Sequence, residues 1–221
     1  MSRYAISDIH GCYKTFRYLV EKTIKLKSDD QLFLLGDYID RGPSSKNVID
    51  FILELRDNGY QITTLKGNHE ELMLQAHQEF EHQYIWYING GKETLTSFGV
   101  NDLNAIPEKY WQFLHQLDYY TELEDYLLVH AGFNFSAEQP FQDYKSMLWI
   151  RDFDIDETWL KHKKIIHGHT PTALTIIEKT VANPMSKVID IDGGCVFKMR
   201  LGYLTALNLD TAELHAIRNL D

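Results

Sequence analysis

The sequence predicts an α/β fold in which helices cover parallel β-strands. In the first third of the chain, short apolar runs alternate three times with segments of helical periodicity, which is typical of βαβ units. Each of these apolar runs ends at a glycine-containing cluster of polar residues. The second half is richer in strand-like segments, which predicts a second sheet packed on the first. At 221 residues, the chain is long enough for one domain with a substantial core.

Each element of the first part has its own local signal. Phe16 and Leu19 recur at helical spacing in the first helix, and Pro43 with Ser44 suits the start of the second. Glu70 suits the positive N-terminal end of the third helix. Strands are therefore expected at 3–7, 31–35 and 60–65, with helices at 13–25, 43–58 and 70–80.

The segment 81–124 is less regular and is predicted to be a helical insertion over one end of the sheet. A helix is expected at 107–117, with Trp111 on its apolar face. The aromatic residues of the insertion, among them Trp86, fit core packing, and stacking on a nucleobase is the alternative. We therefore expect a single domain over residues 1–221 that carries this insertion.

Strand-like runs return after the insertion, and each of the first three ends at polar residues. These strands are expected at 126–129, 164–166 and 188–191, and they end at His130, at His167-Gly168-His169 and at Asp192. The segments 204–209 and 213–218 are expected to form a closing hairpin around Asp210-Thr211.

Composition argues against several classes of function. The net charge of −10 lacks the basic face that a nucleic-acid interface needs. No apolar run approaches membrane-spanning length, and the first residues show no signal-peptide pattern. Cys12 and Cys195 are the only cysteines, which argues against a disulfide framework and for a reducing compartment. We therefore expect a cytoplasmic protein without a nucleic-acid or membrane partner.

The polar residues at the predicted strand ends form a coherent set of metal donors. Ligands of parallel sheets bind outside the carboxyl ends of the strands, so these side chains should lie close together. Oxygen and imidazole donors without a thiolate suit manganese, iron, zinc or nickel. Six donors exceed the need of one catalytic ion and match two ions that share a bridging carboxylate. The six candidates are Asp8, His10, Asp37, Asn68, His130 and His169.

Five motifs in this order carry a specific resemblance to a known family. They are Asp8-Ile9-His10, the segment Gly-Asp-Tyr-Ile-Asp-Arg-Gly at 36–42, Gly-Asn-His-Glu at 67–70, His130-Ala131-Gly132 and Gly168-His169-Thr170. The chain resembles the phosphoprotein phosphatase branch of the calcineurin-like metallophosphoesterases over nearly its whole length. Its size and the segment 148–151 are most similar to the small bacterial and phage-type serine/threonine phosphatases, and diadenosine tetraphosphatases share the motifs. The resemblance implies a sandwich of two mixed β-sheets flanked by helices.

The same resemblance implies a role for each matching residue. Two divalent ions, with manganese expected and iron, zinc or nickel as alternatives, would share Asp37 as a bridge. His69 would be the general acid, oriented and kept protonated by Asp40, because a paired aspartate favours the charged imidazole. Arg41 and Arg151 would bind the substrate phosphate through their bidentate guanidinium groups. The ligands would be Asp8, His10 and Asp37 on one ion, and Asp37, Asn68, His130 and His169 on the other.

Several of these residues also have a purely structural interpretation. Asp8 and His10 fit an ordinary turn, and Asn68 can cap the helix that follows it. Arg151 can pair with a neighbouring aspartate at the surface. His167 and His169 lie two residues apart at the end of the same predicted strand. The family pattern selects His169, and His167 is interpreted as a supporting or neutral residue.

The resemblance implies a phosphatase in which a metal-bridging hydroxide attacks phosphorus directly and no phosphoenzyme forms. Phosphoserine or phosphothreonine in a protein or peptide is the first substrate hypothesis, and hydrolysis of dinucleoside polyphosphates is the alternative. Two further hypotheses are a phosphodiesterase or nuclease, and a non-catalytic phosphoprotein-binding module with a decayed site. The filled ligand positions argue against decay, and the acidic net charge together with Asp40-Arg41 favours a monoesterase.

Overall fold

The computed structural model describes residues 1–221 and contains nine β-strands and nine α-helices. The first part of the chain forms β1 (Arg3–Ile6), α1 (Tyr13–Tyr18), β2 (Gln31–Leu34), α2 (Ser45–Asp57), β3 (Gln61–Thr64) and α3 (Asn68–Gln78). The middle forms α4 (Gln83–Trp86), α5 (Lys92–Phe98), α6 (Glu108–His115) and β4 (Tyr120–Glu122). The remainder forms β5 (Tyr126–Val129), α7 (Tyr144–Trp149), α8 (Glu157–Leu160), β6 (Lys164–His167), α9 (Leu174–Ala182), β7 (Val188–Asp190), β8 (Tyr203–Asn208) and β9 (Leu214–Arg218). No helix combines the length and the apolar character that a membrane span requires.

Two mixed sheets organise the fold, as predicted. The first sheet has the order β3-β2-β1-β8-β9, in which β1 to β3 are parallel and β8 runs antiparallel to β1. The second has the order β4-β5-β6-β7, in which β5 to β7 are parallel and β4 is antiparallel. The closing hairpin β8–β9 is present, but it joins the first sheet rather than extending the second. The sequence-based α/β sandwich is therefore confirmed.

Alternating side chains give each sheet two buried faces. In β2, Leu32 and Leu34 belong to the large core that packs against the helices, whereas Phe33 faces the other sheet. Phe33 packs there in one cluster with Leu128 of β5 and Ile166 of β6. The two sheets are thus held face to face by an apolar layer, which fixes the relative position of the loops at their edges.

The helices differ from the sequence-based expectation in three respects. Helix α3 begins at Asn68 rather than at Glu70, so the second residue of the metal motif is already helical. Ser44 precedes α2, but its side chain makes no capping hydrogen bond. The first helix is α-helical only to Tyr18 and continues as a π-helical turn over Leu19–Thr23.

The segment 81–124 contains helices α4 to α6 and ends in β4, a strand of the second sheet. Trp86 and Trp111 are both buried in the large helical core. Their indole rings therefore serve packing, and the alternative of a nucleobase platform is not supported for either residue.

Replacing Trp111 by alanine should lower the free energy of unfolding by about 3–5 kcal/mol, because the substitution leaves a large cavity. The indole is buried and its Nε1 donates to the carbonyl of Ile106 at 3.2 Å. Thermal or denaturant unfolding measures the loss, and the KM for any phosphate substrate should stay the same. An unchanged melting temperature with a raised KM for a dinucleotide would show instead that the ring contacts a base.

Candidate metal centre

Loops at the carboxyl ends of five strands meet at one buried polar site. The structure brings all six predicted ligands into it: Asp8 and His10 after β1, Asp37 after β2, Asn68 after β3, His130 after β5 and His169 after β6. The loops are tied to one another directly, since the His169 amide donates to Asp8 Oδ2 at 3.0 Å. The edge of both sheets thus contributes to a single site.

The backbone of this site is strained. L-amino acids rarely adopt a positive φ, and such residues cluster where function requires an unusual side-chain direction. Of nine non-glycine residues with positive φ in the chain, six lie here, namely Asp8, His10, Asp37, Asp40, Arg41 and His169. The loops are therefore held in conformations that aim side chains inward at a cost to the free energy of folding.

Asp37 lies at the centre of the donor set. Its Oδ2 is 3.4 Å from Nε2 of His10, and its Oδ1 is 3.6 Å from Nε2 of His130. The two carboxylate oxygens thus face two different groups of donors, one with His10 and His69 and one with His130 and His169. This is the arrangement that a bridging carboxylate requires.

Hydrogen bonds to backbone carbonyls fix the orientation of two imidazoles. Nδ1 of His10 donates to the carbonyl of Ile39, and Nδ1 of His130 donates to that of Leu35, both at 2.9 Å. Each Nε2 then carries a lone pair, as in metal-binding histidines. Nε2 of His10 accepts a hydrogen bond from Arg41 at 2.7 Å, which confirms the tautomer because a guanidinium can only donate.

The second group is crowded with acceptor atoms. Oδ1 of Asn68 lies 3.0 Å from Nε2 of His130 and 2.9 Å from Nδ1 of His169, and those two nitrogens are 3.2 Å apart. Asn68 therefore points into the site rather than capping α3. Buried Nε2 atoms of His69 and His169 have no hydrogen-bond partner. Converging lone pairs of this kind are satisfied by a cation, so the residues fit a metal site.

Buried charge leads to the same conclusion. Burial and the neighbouring Asp8 raise the pKa of Asp37 and of Asp192 well above the usual range for carboxyl groups. Burial also lowers the pKa of His10 and His130, which keeps these imidazoles neutral and able to bind a cation. An excess of buried carboxylate without a compensating cation is costly, and divalent ions would remove that cost.

The geometry departs from the predicted ligand set at one position. His69 lies within coordination range of the first group, whereas Asp8 is not part of that cluster. The Asp8 carboxylate instead accepts hydrogen bonds from the Ser7 hydroxyl and from the His169 amide. Its role as a ligand stays a prediction.

His69 and Asp40 form a buried pair. Nδ1 of His69 lies 2.7 Å from Oδ2 of Asp40. The same oxygen accepts a hydrogen bond from Trp86 Nε1 at 3.0 Å, and Oδ1 of Asp40 accepts one from Thr94 Oγ1 at 2.7 Å. Burial raises the pKa of Asp40 to about 8 and lowers the pKa of His69. This contact places Asp40 to orient His69, but burial of the imidazole opposes the expectation that Asp40 keeps it protonated, and the role of the pair stays a prediction. The sequence did not reveal that Trp86 and Thr94 in turn contact Asp40.

Glu70 holds the central loop in place, a role that the sequence analysis missed. The buried carboxylate accepts hydrogen bonds from the amides of Asp37 and Tyr38, both at 2.8 Å, of Gly67 at 2.9 Å and of Ile39 at 3.3 Å. It therefore fixes the loop that carries Asp37. The residue was visible in the motif at 67–70, but three of its four partners lie 31 to 33 positions away in the chain.

Replacing Glu70 by glutamine should lower the free energy of unfolding by at least about 3 kcal/mol, because amide donors would be left facing an NH₂ group. Chemical denaturation measures the change, and metal affinity should fall with it as the Asp37 loop loosens. Glu71→Gln is the matched control, since Glu71 makes only part-buried side-chain contacts, an ion pair with Lys66 at 3.3 Å and a hydrogen bond from Gln75 at 2.9 Å. Equal stability of the two variants would contradict the assigned role.

Two arginines line the opening above the donor set. Arg41 and Arg151 border a cavity of about 150 Å³ together with Asp37, Asn68 and His169. Arg41 is fixed from the insertion, since its amide donates to the Gly90 carbonyl at 3.2 Å. A side chain at Gly90, which has φ 108°, would collide with Arg41, so glycine is required there. Arg151 is exposed on the cavity wall, and its phosphate-binding role stays a prediction.

The comparison with known families agrees with the motifs. The sequence pattern of the calcineurin-like phosphoesterases matches residues 1–194, and the chain belongs to this family.

Curated relatives carry a more specific name. Residues of this chain are 43% identical over 135 positions to the symmetrical bis(5'-nucleosyl)-tetraphosphatase of Buchnera aphidicola subsp. Baizongia pistaciae, covering 60% of this chain and 44% of that protein. The enzyme of the same name from Cellvibrio japonicus is 32% identical over 133 positions, covering 60% and 45%. The chain spans less than half the length of the curated relatives it matches.

Solved structures share the fold. A crystal structure of a candidate diadenosine tetraphosphatase superposes with a TM-score of 0.69 at 17% identity, covering 99% of this chain and 94% of the other. A serine/threonine phosphatase from Saccharomyces cerevisiae gives a TM-score of 0.64 at 14% identity, covering 100% and 81%. At these identities the likeness establishes the fold alone.

Proposed function

We propose that this protein is a metal-dependent hydrolase of dinucleoside polyphosphates. The observation that carries the proposal is a second cavity that adjoins the phosphate-sized opening. The names of the curated relatives favour this alternative over the protein phosphatase that the sequence analysis placed first.

The two cavities share Arg41, Asn89 and Phe197 as common walls. The larger measures about 550 Å³, which lies within the range of roughly 300–1,000 Å³ typical of small-molecule sites. The small cavity over Asp37 can receive the reacting phosphate, and the large one can receive the rest of an extended substrate. A simple phosphomonoester would leave the large cavity unused.

The walls of the large cavity suit a nucleotide. Phe197 and Tyr87 offer aromatic surface, and Lys92 adds a cation to a wall that also carries the carboxylate of Glu93. The guanidinium of Arg41 lies 5.7 Å from the Phe197 ring, between the two cavities. A polyphosphate chain would thus run along cations toward an aromatic surface, on which a base can stack.

The ligand residues would hold two divalent ions, with Asp37 shared between them. When bound, the ions would neutralise phosphate charge and lower the pKa of water for attack on phosphorus. Arg41 and Arg151 would orient the phosphate through charge-assisted hydrogen bonds. His69, held through Nδ1 by Asp40, presents Nε2 to the site 4.0 Å from Asp37 Oδ2, where it can pass a proton to the departing oxygen.

Phosphoserine or phosphothreonine hydrolysis is the second candidate. Exposed apolar side chains surround the opening, among them Ile88, Trp149 and Phe197. Such a rim can also pack against a peptide that carries the phosphate.

Parallel kcat/KM measurements with manganese on diadenosine tetraphosphate, a phosphoserine peptide and bis-nitrophenyl phosphate test the proposal. We expect diadenosine tetraphosphate to be the best substrate and to yield two molecules of adenosine diphosphate. Arg151→Ala should reduce its turnover, whereas Arg200→Ala, outside both cavities, should not. Preference for the peptide would establish the second candidate, preference for the diester would indicate a phosphodiesterase, and no turnover would indicate a binding module.

A further inference from the structure

The fold brings the two cysteines of the chain together. Nδ2 of Asn219 lies 3.2 Å from Sγ of Cys12 and 3.8 Å from Sγ of Cys195. The same nitrogen donates to the Cys195 carbonyl at 2.8 Å, so one amide contacts both cysteines. Contact with Cys12, together with burial, raises the pKa of the Cys195 thiol. Both cysteines are free in this structure.

The thiol pair joins two loops of the metal site. Cys12 follows His10 by two residues, and its Sγ lies 3.5 Å from the His10 carbonyl. Cys195 lies in the connection between β7 and β8, three residues after the buried Asp192. The proposed phosphate chemistry uses neither thiol.

We propose that Cys12 and Cys195 form a reversible disulfide that switches off the metal site under oxidising conditions. Hydrogen peroxide is the oxidant. One thiol sulfur is first oxidised to a sulfenic acid, with release of one water. The second thiol then attacks this sulfur, forming the S–S bond and releasing a second water. Two cysteines and one peroxide thus give one disulfide and two waters, and a dithiol reductant reverses the change.

Movement of Cys12 would reach the ligands directly. A disulfide brings the sulfurs to about 2.05 Å, closer than two thiols in contact, so at least one loop must shift. The amides of His10 and Gly11 donate to the carbonyls of Asp37 and Tyr38, both at 2.8 Å. Displacement at Cys12 is therefore transmitted to both His10 and the bridging Asp37. Loss of ligand geometry of this kind lowers metal affinity or activity by about 10–100-fold.

Zinc-loaded protein suits the test, because zinc does not change its own oxidation state. The protein is titrated with hydrogen peroxide and followed by intact mass, by free-thiol count after denaturation, and by nitrophenyl phosphate turnover. We expect a mass loss of about 2 Da, loss of both thiols together and a fall in turnover of at least about tenfold. Dithiothreitol should restore all three. The exposed Met185 and Met199 add about 16 Da each when oxidised, so the masses are distinguishable.

Cys195→Ser is the control variant, and Cys195→Ala replaces it if the serine variant is unstable. Either variant should keep its activity after the same peroxide dose, or should lose activity that dithiothreitol does not restore. Peptide mapping of the wild-type protein independently locates the bridge. Reversible inactivation with both thiols intact, or equal reversible inactivation of the Cys195 variant, would overturn the proposal. These readouts do not depend on which phosphate substrate is the natural one.

Discussion

Replacing Asp37 by alanine is expected to remove both metal ions and to lower turnover by about 10³-fold or more, because several kcal/mol of charge stabilisation are lost. The reason is the position of its two oxygens, one 3.4 Å from His10 Nε2 and the other 3.6 Å from His130 Nε2. No other side chain in the site faces both groups. One substitution should therefore remove the ions from both metal-binding positions.

Elemental analysis after dialysis measures the number of ions per chain directly. Asp8→Ala should mainly weaken one ion, since its carboxylate lies outside both geometric groups. Asp50→Ala is the control, because Asp50 pairs only with Lys46, Lys109 and Tyr110 on the surface of α2. Full occupancy by two ions in Asp37→Ala would show that the carboxylate does not bridge.

Replacing His69 by asparagine should reduce hydrolysis of a phosphoserine ester far more than that of nitrophenyl phosphate. General acid catalysis contributes about 10²–10⁴-fold, and it matters most when the departing oxygen is a poor leaving group. The serine alkoxide requires a proton, whereas nitrophenolate leaves without one. Asp40→Asn should show a milder effect, because Asp40 acts only through its 2.7 Å contact with His69.

Ratios of kcat/KM for the two esters provide the measurement, with metal content determined on the same samples. The metal content of His69→Asn should match that of the wild type if the residue is an acid. Equal loss on both esters together with loss of an ion would mean that His69 is a ligand, as its proximity to His10 and Asp37 also allows.

The meeting of the six candidate ligands at one edge of the sheets was predictable because their positions are encoded locally. Asp8, Asp37 and Asn68 each follow an apolar run within a few residues, and parallel strands place their carboxyl ends together. The two mixed sheets were predictable for the same reason, since strand and helix periodicities alternate clearly. Short-range patterns therefore suffice for the framework and for the candidate ligands.

What the sequence did not reveal depends on contacts between distant residues. Asp40 binds Trp86 and Thr94, which lie 46 and 54 positions further along the chain. Glu70 binds amides of the loop before it, and this interaction fixes the site more strongly than the helix-end effect predicted for it. The pairing of β8 with β1 likewise brings the end of the chain back to its start. Local propensity carries no information about such partners.

Assembly of the site from both halves of the chain has a consequence for the order of folding. The His169 amide bonds to Asp8 across 161 positions, so a nascent chain on the ribosome lacks the full set of candidate ligands until His169 has been made. Contacts this remote form late, because the entropy of closing such a loop must be overcome first. Metal ions would then join the protein after the two sheets have docked. They would mainly slow unfolding, because bound ions would hold together two sheets that have already folded.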